Sequence, residues 1–135
     1  MQRQSVETTV KINAPASQVW RMFTDPNFTK QMGGEYVSDW KVGSFLSWKG
    51  MGGNIMTKGK ILKIEPEKLL EHNLFMSPDS DEVIAVLTYE LHENNDNTTV
   101  QIKEVFSKPI NEQEYSDSIE GWTVALQSAK ELAEK

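Results

Sequence analysis

The chain contains no cysteine, only two histidines and no long apolar run. The absence of cysteine excludes a disulfide framework, a thiolate metal site and a cysteine nucleophile. No stretch approaches the roughly 18 consecutive apolar residues of a membrane-spanning helix. Residues 1–7 also lack the apolar core of a secretory signal. We therefore expect a cytoplasmic protein with no membrane span.

Basic residues are outnumbered by acidic ones in this chain. Fourteen basic against twenty acidic side chains give a formal net charge of −6. Binding to the phosphate backbone of nucleic acid relies on an excess of lysine and arginine, so nucleic acid is not an expected partner. With 135 residues, no internal repeat and no low-complexity linker, the chain has the length of one domain spanning 1–135.

Motifs of common cofactor and nucleophile sites are missing as well. Five residues, rather than the four of a phosphate-binding loop, separate Gly53 from Gly59, and Ile61 stands where that loop has Ser or Thr. No Gly-x-Ser-x-Gly elbow of a hydrolase occurs. His72 and His92 do not have the spacing of a zinc site. We expect no metal and no cofactor, and we assign no catalytic residue.

Residues 8–26 predict a strand that leads into a short helix. Side chains at 8–13 alternate with the period of two that is typical of a half-buried strand. Pro15 fits the first position of the helix, because its φ angle is preset and it has no amide hydrogen to leave unpaired. Asp25 ends this helix, and a second short helix is predicted at 27–32.

The middle of the chain predicts antiparallel strands. Alternating segments are separated by short clusters of turn residues, and 93–97 has the composition of a hairpin turn. Short turns between successive strands are typical of an antiparallel meander. The predicted strands are 35–39, 44–49, 55–64, 69–76, 83–91 and 98–107.

The last segment predicts the longest helix. Its apolar residues recur at steps of four and three, which places them on one helical face. Asn111 is a natural N-cap for this helix. Gly121 is its weak point, since glycine costs about 1 kcal/mol relative to alanine inside a helix. The residues of the apolar face are Tyr115, Ile119, Trp122, Leu126, Ala129 and Ala133.

Short motifs occur in the turns and core positions of these elements, in a fixed order along the chain. They comprise Ala14, Pro15, Ala16, Val19, Trp20, Thr24, Asp25, Pro26, Trp40, Lys41, Val42, Gly43, Phe45, Gly59, Lys60, Ile61, Leu62, Ile64, Glu65, Pro66, Leu87, Thr88, Tyr89, Glu90, Leu91, Trp122 and Leu126. In this order and spacing the chain resembles the START-like (SRPBCC) superfamily. Within it, the chain is similar to the activator homologues of the heat-shock protein 90 ATPase.

This resemblance implies an α+β helix-grip fold. In that fold a curved antiparallel sheet of about six or seven strands wraps around the long C-terminal helix, and two short helices follow the first strand. The fold implies an internal apolar cavity, which in relatives holds lipids, sterols, polyketides or other hydrophobic molecules. We therefore expect a hydrophobic small molecule as the partner, bound between the long helix and the sheet. The fold does not name the ligand.

The wall of such a cavity is expected to come from the apolar helix face and from one parity of each strand. This alternation places His72 and Glu104 among apolar neighbours, where they are candidates to anchor the polar end of a ligand. For each residue, an ordinary position in the core or at the sheet rim is the alternative. The predicted ligand-contacting residues are Trp48, Leu70, His72, Leu74, Met76, Ile102, Glu104, Phe106, Ile119, Trp122 and Leu126.

Three functions remain open at this stage. The preferred one is a non-enzymatic binder of a hydrophobic small molecule. The second is an enzyme of the cyclase or hydrolase type that uses His72 and Glu104 as acid and base. The third is a co-chaperone or stress-response interaction protein with a chaperone as its partner.

Overall fold

The computed structural model describes residues 3–135, which form an antiparallel sheet, two short helices and one long helix. The strands are β1 (Arg3–Ile12), β2 (Gly34–Ser38), β3 (Phe45–Gly50), β4 (Ile55–Glu65), β5 (Leu69–Phe75), β6 (Val83–Asn94) and β7 (Asn97–Ile110). The helices are α1 (Ala16–Thr24), α2 (Pro26–Thr29) and α3 (Glu112–Ala133), and a 3-10 turn, Lys30–Met32, follows α2.

The strands follow the order β1, β7, β6, β5, β4, β3, β2 across the sheet, and every neighbouring pair is antiparallel. Strands β2 to β7 are therefore a meander, and β1 pairs with the last strand of that meander. The predicted α+β helix-grip architecture is confirmed, with seven strands in the described residues.

The hairpin between β6 and β7 is longer than the sequence predicts. Asn94 pairs with Asn97, so the predicted turn shrinks to the two residues Asn95 and Asp96. Both have positive φ angles, 51° and 69°, which tight hairpins require and which Asn and Asp tolerate better than other non-glycine residues. Polar composition marks this turn correctly but does not reveal how far the strands continue.

Side-chain caps separate the two short helices. Pro15 is the N-cap of α1 rather than its first residue, and its backbone is extended with a ψ of 159°. The carboxylate of Glu93 accepts the N–H of Ala16, which leaves one fewer open donor at the start of α1. The Asp25 side chain accepts the N–H of Asn27, so the residue that ends α1 also caps α2.

Both ends of α3 are fixed by hydrogen bonds. A capping box closes the N-terminus, where the Asn111 side chain accepts the N–H of Glu114 and the Glu114 side chain accepts the N–H of Asn111. Near the C-terminus, Lys130 Nζ donates to the carbonyl of Lys11 at 3.0 Å. These contacts attach α3 to the β1 side of the sheet.

The C-terminal half of α3 packs directly on the core. Leu126, Ala129 and Ala133 are buried there, in one cluster with Ile12 and Val100. The two alanines bring the helix close to the strands, because the distance between packed elements depends on side-chain size at the contact. Burial of a leucine side chain such as Leu126 contributes about 1.5–3 kcal/mol.

Two glycines permit close approaches within the sheet. A Cβ at Gly34 would collide with the carbonyl of Lys49 and would lie 2.9 Å from the Trp48 ring. A Cβ at Gly59 would collide with the carbonyl of Asn73 on the next strand. Gly34 therefore provides space for the indole of Trp48, and Gly59 for the Asn73 carbonyl.

Candidate functional site

A cavity of about 340 Å³ lies between α3, the two short helices and the inner face of the sheet. This volume is toward the small end of the range for ligand pockets, which is roughly 300–1,000 Å³. The cavity reaches the surface along α3 at Gly121, Val124 and Ala125, which are exposed. Met22 and Met32 contribute flexible apolar side chains to the opposite wall.

Five aromatic rings line the cavity, Phe23, Tyr36, Trp48, Tyr89 and Trp122. The centroids of Tyr36 and Trp48 are 4.9 Å apart with the planes at 72°, and those of Tyr89 and Trp122 are 5.9 Å apart at 79°. Phe23 lies 5.7 Å from Tyr89 at a tilt of 58°. These are favourable geometries for pairs of aromatic rings. Each ring is held in place by another, so the wall is formed before any ligand binds.

His72 lies beneath this wall as a neutral imidazole. Its Nδ1 is 2.8 Å from the carbonyl of Asn73, and its Nε2 is 3.1 Å from the hydroxyl of Tyr89. A carbonyl can only accept, so Nδ1 carries the proton and Nε2 accepts from the Tyr89 O–H. Burial lowers the pKa of His72, and the Asn73 hydrogen bond opposes this effect without cancelling it.

Tyr36 and Tyr89 place two hydroxyl groups near the cavity. Burial raises the pKa of Tyr36, and it raises the pKa of Tyr89 well above the usual value. The Tyr36 hydroxyl and the charge of Glu104 raise the pKa of Tyr89 further. Both hydroxyls are therefore protonated at neutral pH and offer hydrogen bonds rather than charge.

Thr29 is part of the cavity wall, and its hydroxyl is fully buried. Its side chain is 1% exposed, and its hydroxyl has no hydrogen-bond partner among residues 3–135. A buried hydroxyl without a partner costs about 1–3 kcal/mol. A ligand oxygen or nitrogen within reach of this hydroxyl would recover part of that cost.

Glu104 on β7 is held by α3. Its Oε1 accepts hydrogen bonds from Ser118 Oγ and Trp122 Nε1, both at 3.1 Å. On the side away from the cavity, Glu104 lines a groove of about 470 Å³ together with Ile84, Phe106 and Ser118. Trp122 therefore separates two spaces, because its ring lines the cavity and its N–H binds the carboxylate of the groove.

Five of the predicted site residues lie on these two spaces. Trp48, Trp122 and Leu126 line the cavity. Glu104 and Phe106 line the groove. Their contact with a ligand stays a prediction.

Five further predicted residues lie close to the two spaces but line neither. Leu70, His72 and Ile102 are buried in the sheet. Leu74 is half-buried against the core cluster, and Ile119 is half-buried on α3. Four of these five residues lie on strands. A ligand could contact them only if the residues that line the cavity or the groove moved.

Met76 is not on the inner face where the alternation predicts it. Strand β5 ends at Phe75, and its pairing with β6 shifts in register between Leu74 and Phe75. The alternation predicts a face only as long as the strand continues. Met76 follows the last residue of β5 and is 60% exposed, whereas Phe75 is buried outside the core cluster, in a groove that Phe45 also lines.

His72 and Glu104 are both buried, but they do not form a pair. Leu87 on β6 pairs with His72 on one side and with Glu104 on the other. Two strand spacings, roughly 10 Å in total, therefore separate the two backbones. His72 binds Tyr89 while Glu104 binds α3, so no direct proton transfer between the two side chains is possible in this arrangement.

The sequence reasoning missed Tyr36, Tyr89 and Thr29 as cavity residues. Tyr89 has the same parity as Leu87 and Leu91, so the alternation of β6 could have placed it on the inner face. Tyr36 belongs to a five-residue strand, which is too short for a clear alternation. Thr29 carries no signal, because only the tertiary structure buries its hydroxyl.

Within residues 3–135, no group of three or more His, Asp or Glu side chains is arranged to hold a metal ion. In the same part of the chain, no helix combines the length and the apolar character needed to cross a membrane.

The sequence matches a family model described as Activator of Hsp90 ATPase homolog 1-like protein over residues 13–134. No curated protein matches the chain.

Many solved structures share this fold. ChR145 from Cytophaga hutchinsonii is 28% identical with a TM-score of 0.77, over 98% of this chain and 94% of that one. MLL2253 from Mesorhizobium loti is 20% identical with a TM-score of 0.77, over 96% of each chain. The Aha1 dimer from Colwellia psychrerythraea is 18% identical with a TM-score of 0.77, over 98% of this chain and 97% of that one.

Proposed function

The chain belongs to the family of Activator of Hsp90 ATPase homolog 1-like proteins, and from this premise we propose that it binds an apolar small molecule in the cavity beneath α3. The observation that carries the proposal is a cavity of about 340 Å³ with a wall of aromatic and methionine side chains. Protein interiors are otherwise packed with few voids larger than a water molecule. An apolar space of this size is a good receptor for a ligand.

The chemistry of the wall favours a compact molecule with aromatic rings. Tyr36, Trp48 and Trp122 offer ring faces and edges for stacking, which are worth about 0.5–1.5 kcal/mol per pair beyond the burial of area. Tyr36 supplies a hydroxyl group for a polar atom of the ligand. Among lipids, sterols, polyketide-like and aromatic compounds, a small planar polyketide-like or flavonoid-like molecule therefore fits best.

A titration monitored by NMR tests this proposal. A flavonoid, a C12 fatty acid and a sterol are added separately to ¹⁵N-labelled protein. We expect saturable shifts of the Gly121 and Ala125 amides and of the Trp48 and Trp122 indole N–H groups, with the flavonoid binding most tightly. The absence of a saturable shift at these positions with every member of the panel would contradict the proposal.

A variant that fills the cavity mouth sharpens the test. Gly121 lines the mouth, and a Cβ at this position has no neighbour within 4 Å, so Gly121→Phe adds a ring at the mouth without a clash at its Cβ. We expect this variant to fold and to lose flavonoid binding by at least about tenfold, because its ring takes the place of the ligand. The matched control is Thr123→Phe, at an exposed position of the same helix that does not line the cavity. Equal losses in both variants would contradict the assigned site.

The enzymatic alternative has less support. It relies on His72 and Glu104 as acid and base, and these side chains have separate hydrogen-bond partners on either side of Leu87. Prolonged incubation with a bound ligand would test it. Recovery of unchanged ligand is the expected result.

The co-chaperone alternative is supported by the description of the family rather than by a surface of this chain. Its test is the ATPase rate of a heat-shock protein 90 at saturating concentrations of this protein. A stimulation that survives Gly121→Phe would favour a protein–protein role that is independent of the cavity.

A further inference from the structure

The carboxylate of Glu104 is a buried charged group that the proposed cavity does not use. Its residue is 8% exposed, and only Oε1 has hydrogen-bond donors, Ser118 and Trp122. Within residues 3–135, no donor contacts Oε2 and no cationic side chain forms an ion pair with Glu104. Oε2 is not among the fully buried polar atoms, so this oxygen is accessible and free to accept a hydrogen bond from a ligand.

The position of this carboxylate is rigid. Glu104 is in the middle of β7, where it pairs with Val6 on one side and Leu87 on the other. The two hydrogen bonds from α3 fix the orientation of its side chain. Oε2 therefore has a defined direction before any partner binds, which lowers the entropic cost of binding.

The surroundings of Glu104 combine apolar and charged groups. Ile84 and Phe106 provide an apolar wall in the groove of about 470 Å³. Glu114 and Lys108 lie along the same groove and are exposed. Two carboxylates against one ammonium group give the groove a net negative charge, which favours a cation over an anion.

We propose that this groove binds an organic ammonium ion, a primary amine that carries a short apolar group. Its ammonium group donates a hydrogen bond to Oε2 of Glu104, and its apolar part packs on Phe106 and Ile84. Hydrogen bonds between charged partners are about twice as strong as those between neutral groups. The groove lies across Trp122 from the cavity, so this site does not depend on the function proposed above.

The test uses three probes that share one alkyl chain, n-hexylammonium, 1-hexanol and hexanoate, at the same ionic strength. Binding is followed by NMR at the amides of Glu104 and Ser118 and at the indole N–H of Trp122. We expect hexylammonium to bind at least about tenfold more tightly than hexanol, because only the amine adds a charged hydrogen bond, and hexanoate not to bind. Equal affinities for hexylammonium and hexanol would overturn the proposal.

Two matched variants distinguish binding at Glu104 from a non-specific attraction of cations to an acidic protein. Glu104→Gln keeps an acceptor for Ser118 and Trp122 but removes the charge, and Glu120→Gln makes the same charge change at an exposed position of α3. We expect the first to lose the preference for hexylammonium and the second to retain it. Equal losses in both would show a non-specific attraction and would overturn the proposal.

A third variant tests the role of Lys108, an exposed cation that lines the same groove. Lys108→Met is expected to raise the affinity for hexylammonium by about two- to fivefold, because it removes the repulsion by one exposed charge. An unchanged affinity would contradict a role of Lys108 in the charge of the groove. If Glu104→Gln does not fold, the comparison of the three probes on the unmodified protein still decides the proposal.

The readouts also distinguish this site from the cavity. A ligand in the cavity shifts the amides of Gly121 and Ala125, whereas an amine in the groove shifts those of Glu104 and Ser118. The experiments can therefore contradict the proposal for one site and support the proposal for the other.

Discussion

The two halves of α3 meet the sheet in different ways. The C-terminal half, 123–133, contains the three fully buried residues of the helix, and two of these are alanines. The N-terminal half, 112–122, contains none, and it contacts the sheet through Ser118 and Trp122, which bind Glu104. The C-terminal half packs on the strands through small side chains. The N-terminal half contacts the sheet through a large ring, that of Trp122, and through polar contacts with Glu104.

The two spaces lie along different parts of α3. The groove borders the N-terminal half at Glu114 and Ser118, whereas α3 borders the cavity from Gly121 to Ala129, beside the closely packed residues. Trp122 lies where the two halves meet, and it lines the cavity while its N–H binds the carboxylate that lines the groove.

Truncation of Leu126 should damage the closely packed half. Leu126 is 2% exposed, and Leu126→Ala should lower the free energy of unfolding by about 2–5 kcal/mol, because it removes buried methyl groups and leaves a void. Urea denaturation gives the value. Val124→Ala is the control on the same helix, since Val124 is 62% exposed and its truncation should change stability by less than about 0.5 kcal/mol. Equal losses would contradict the contrast.

Removal of the indole N–H should loosen the supported half. Trp122→Phe keeps an aromatic ring but removes the donor to Glu104, so we expect a loss of about 1.5–3 kcal/mol in the free energy of unfolding. Trp20→Phe is the control, because this half-buried Trp has no indole hydrogen bond in the described part of the chain. Faster amide exchange in 112–122 than in 123–133 would show that the effect is confined to this half.

The buried imidazole beneath the cavity should make stability depend on pH. The pKa of His72 is lowered in the folded protein from its ordinary value of 6.5, so the unfolded chain binds the proton more readily. The free energy of unfolding should therefore fall as the pH drops below about 6.5, by at most about 1.4 kcal/mol per pH unit. Urea denaturation at pH 7.5 and 5.5 measures the slope.

His72→Gln should reduce this slope, since glutamine does not titrate. His92→Gln changes the other, exposed histidine and should retain the slope of the unmodified protein. A slope that depends on His92 instead would contradict the assignment to the buried ring.

The smallest effect is expected at the cavity mouth. Gly121→Ala should raise the free energy of unfolding by about 1 kcal/mol, because alanine favours the helix and its methyl group meets no other atom within 4 Å. Flavonoid binding should be retained, in contrast to Gly121→Phe. A loss of stability would show that the backbone at Gly121 needs the freedom of glycine.

Local signals in the sequence determine much of the fold. Asn111 marks the start of α3 correctly, and the steps of four and three from Tyr115 to Ala133 identify its buried face. Asn95 and Asp96 mark the tightest hairpin, although not its length. These features depend on contacts within a few residues, which is why one sequence is enough to predict them.

The site depends on distances that local patterns do not contain. Strand β5 ends one residue before Met76, which lies at the surface, and the alternation does not show where the strand ends. The parity of the strands places His72 and Glu104 among apolar neighbours, and both residues are buried. It does not show that Leu87 separates them, because the alignment of three strands decides this.

The close approach at Gly59 has a chemical consequence on the neighbouring strand. The carbonyl of Asn73 occupies the space that a side chain at position 59 would need, and this carbonyl receives the Nδ1 proton of His72. A side chain at 59 would displace that acceptor and release the imidazole to its other tautomer, whose Nε2 proton would point at Tyr89. The lack of a side chain at Gly59, one strand away, therefore decides that Tyr89 donates and His72 accepts in the hydrogen bond between them.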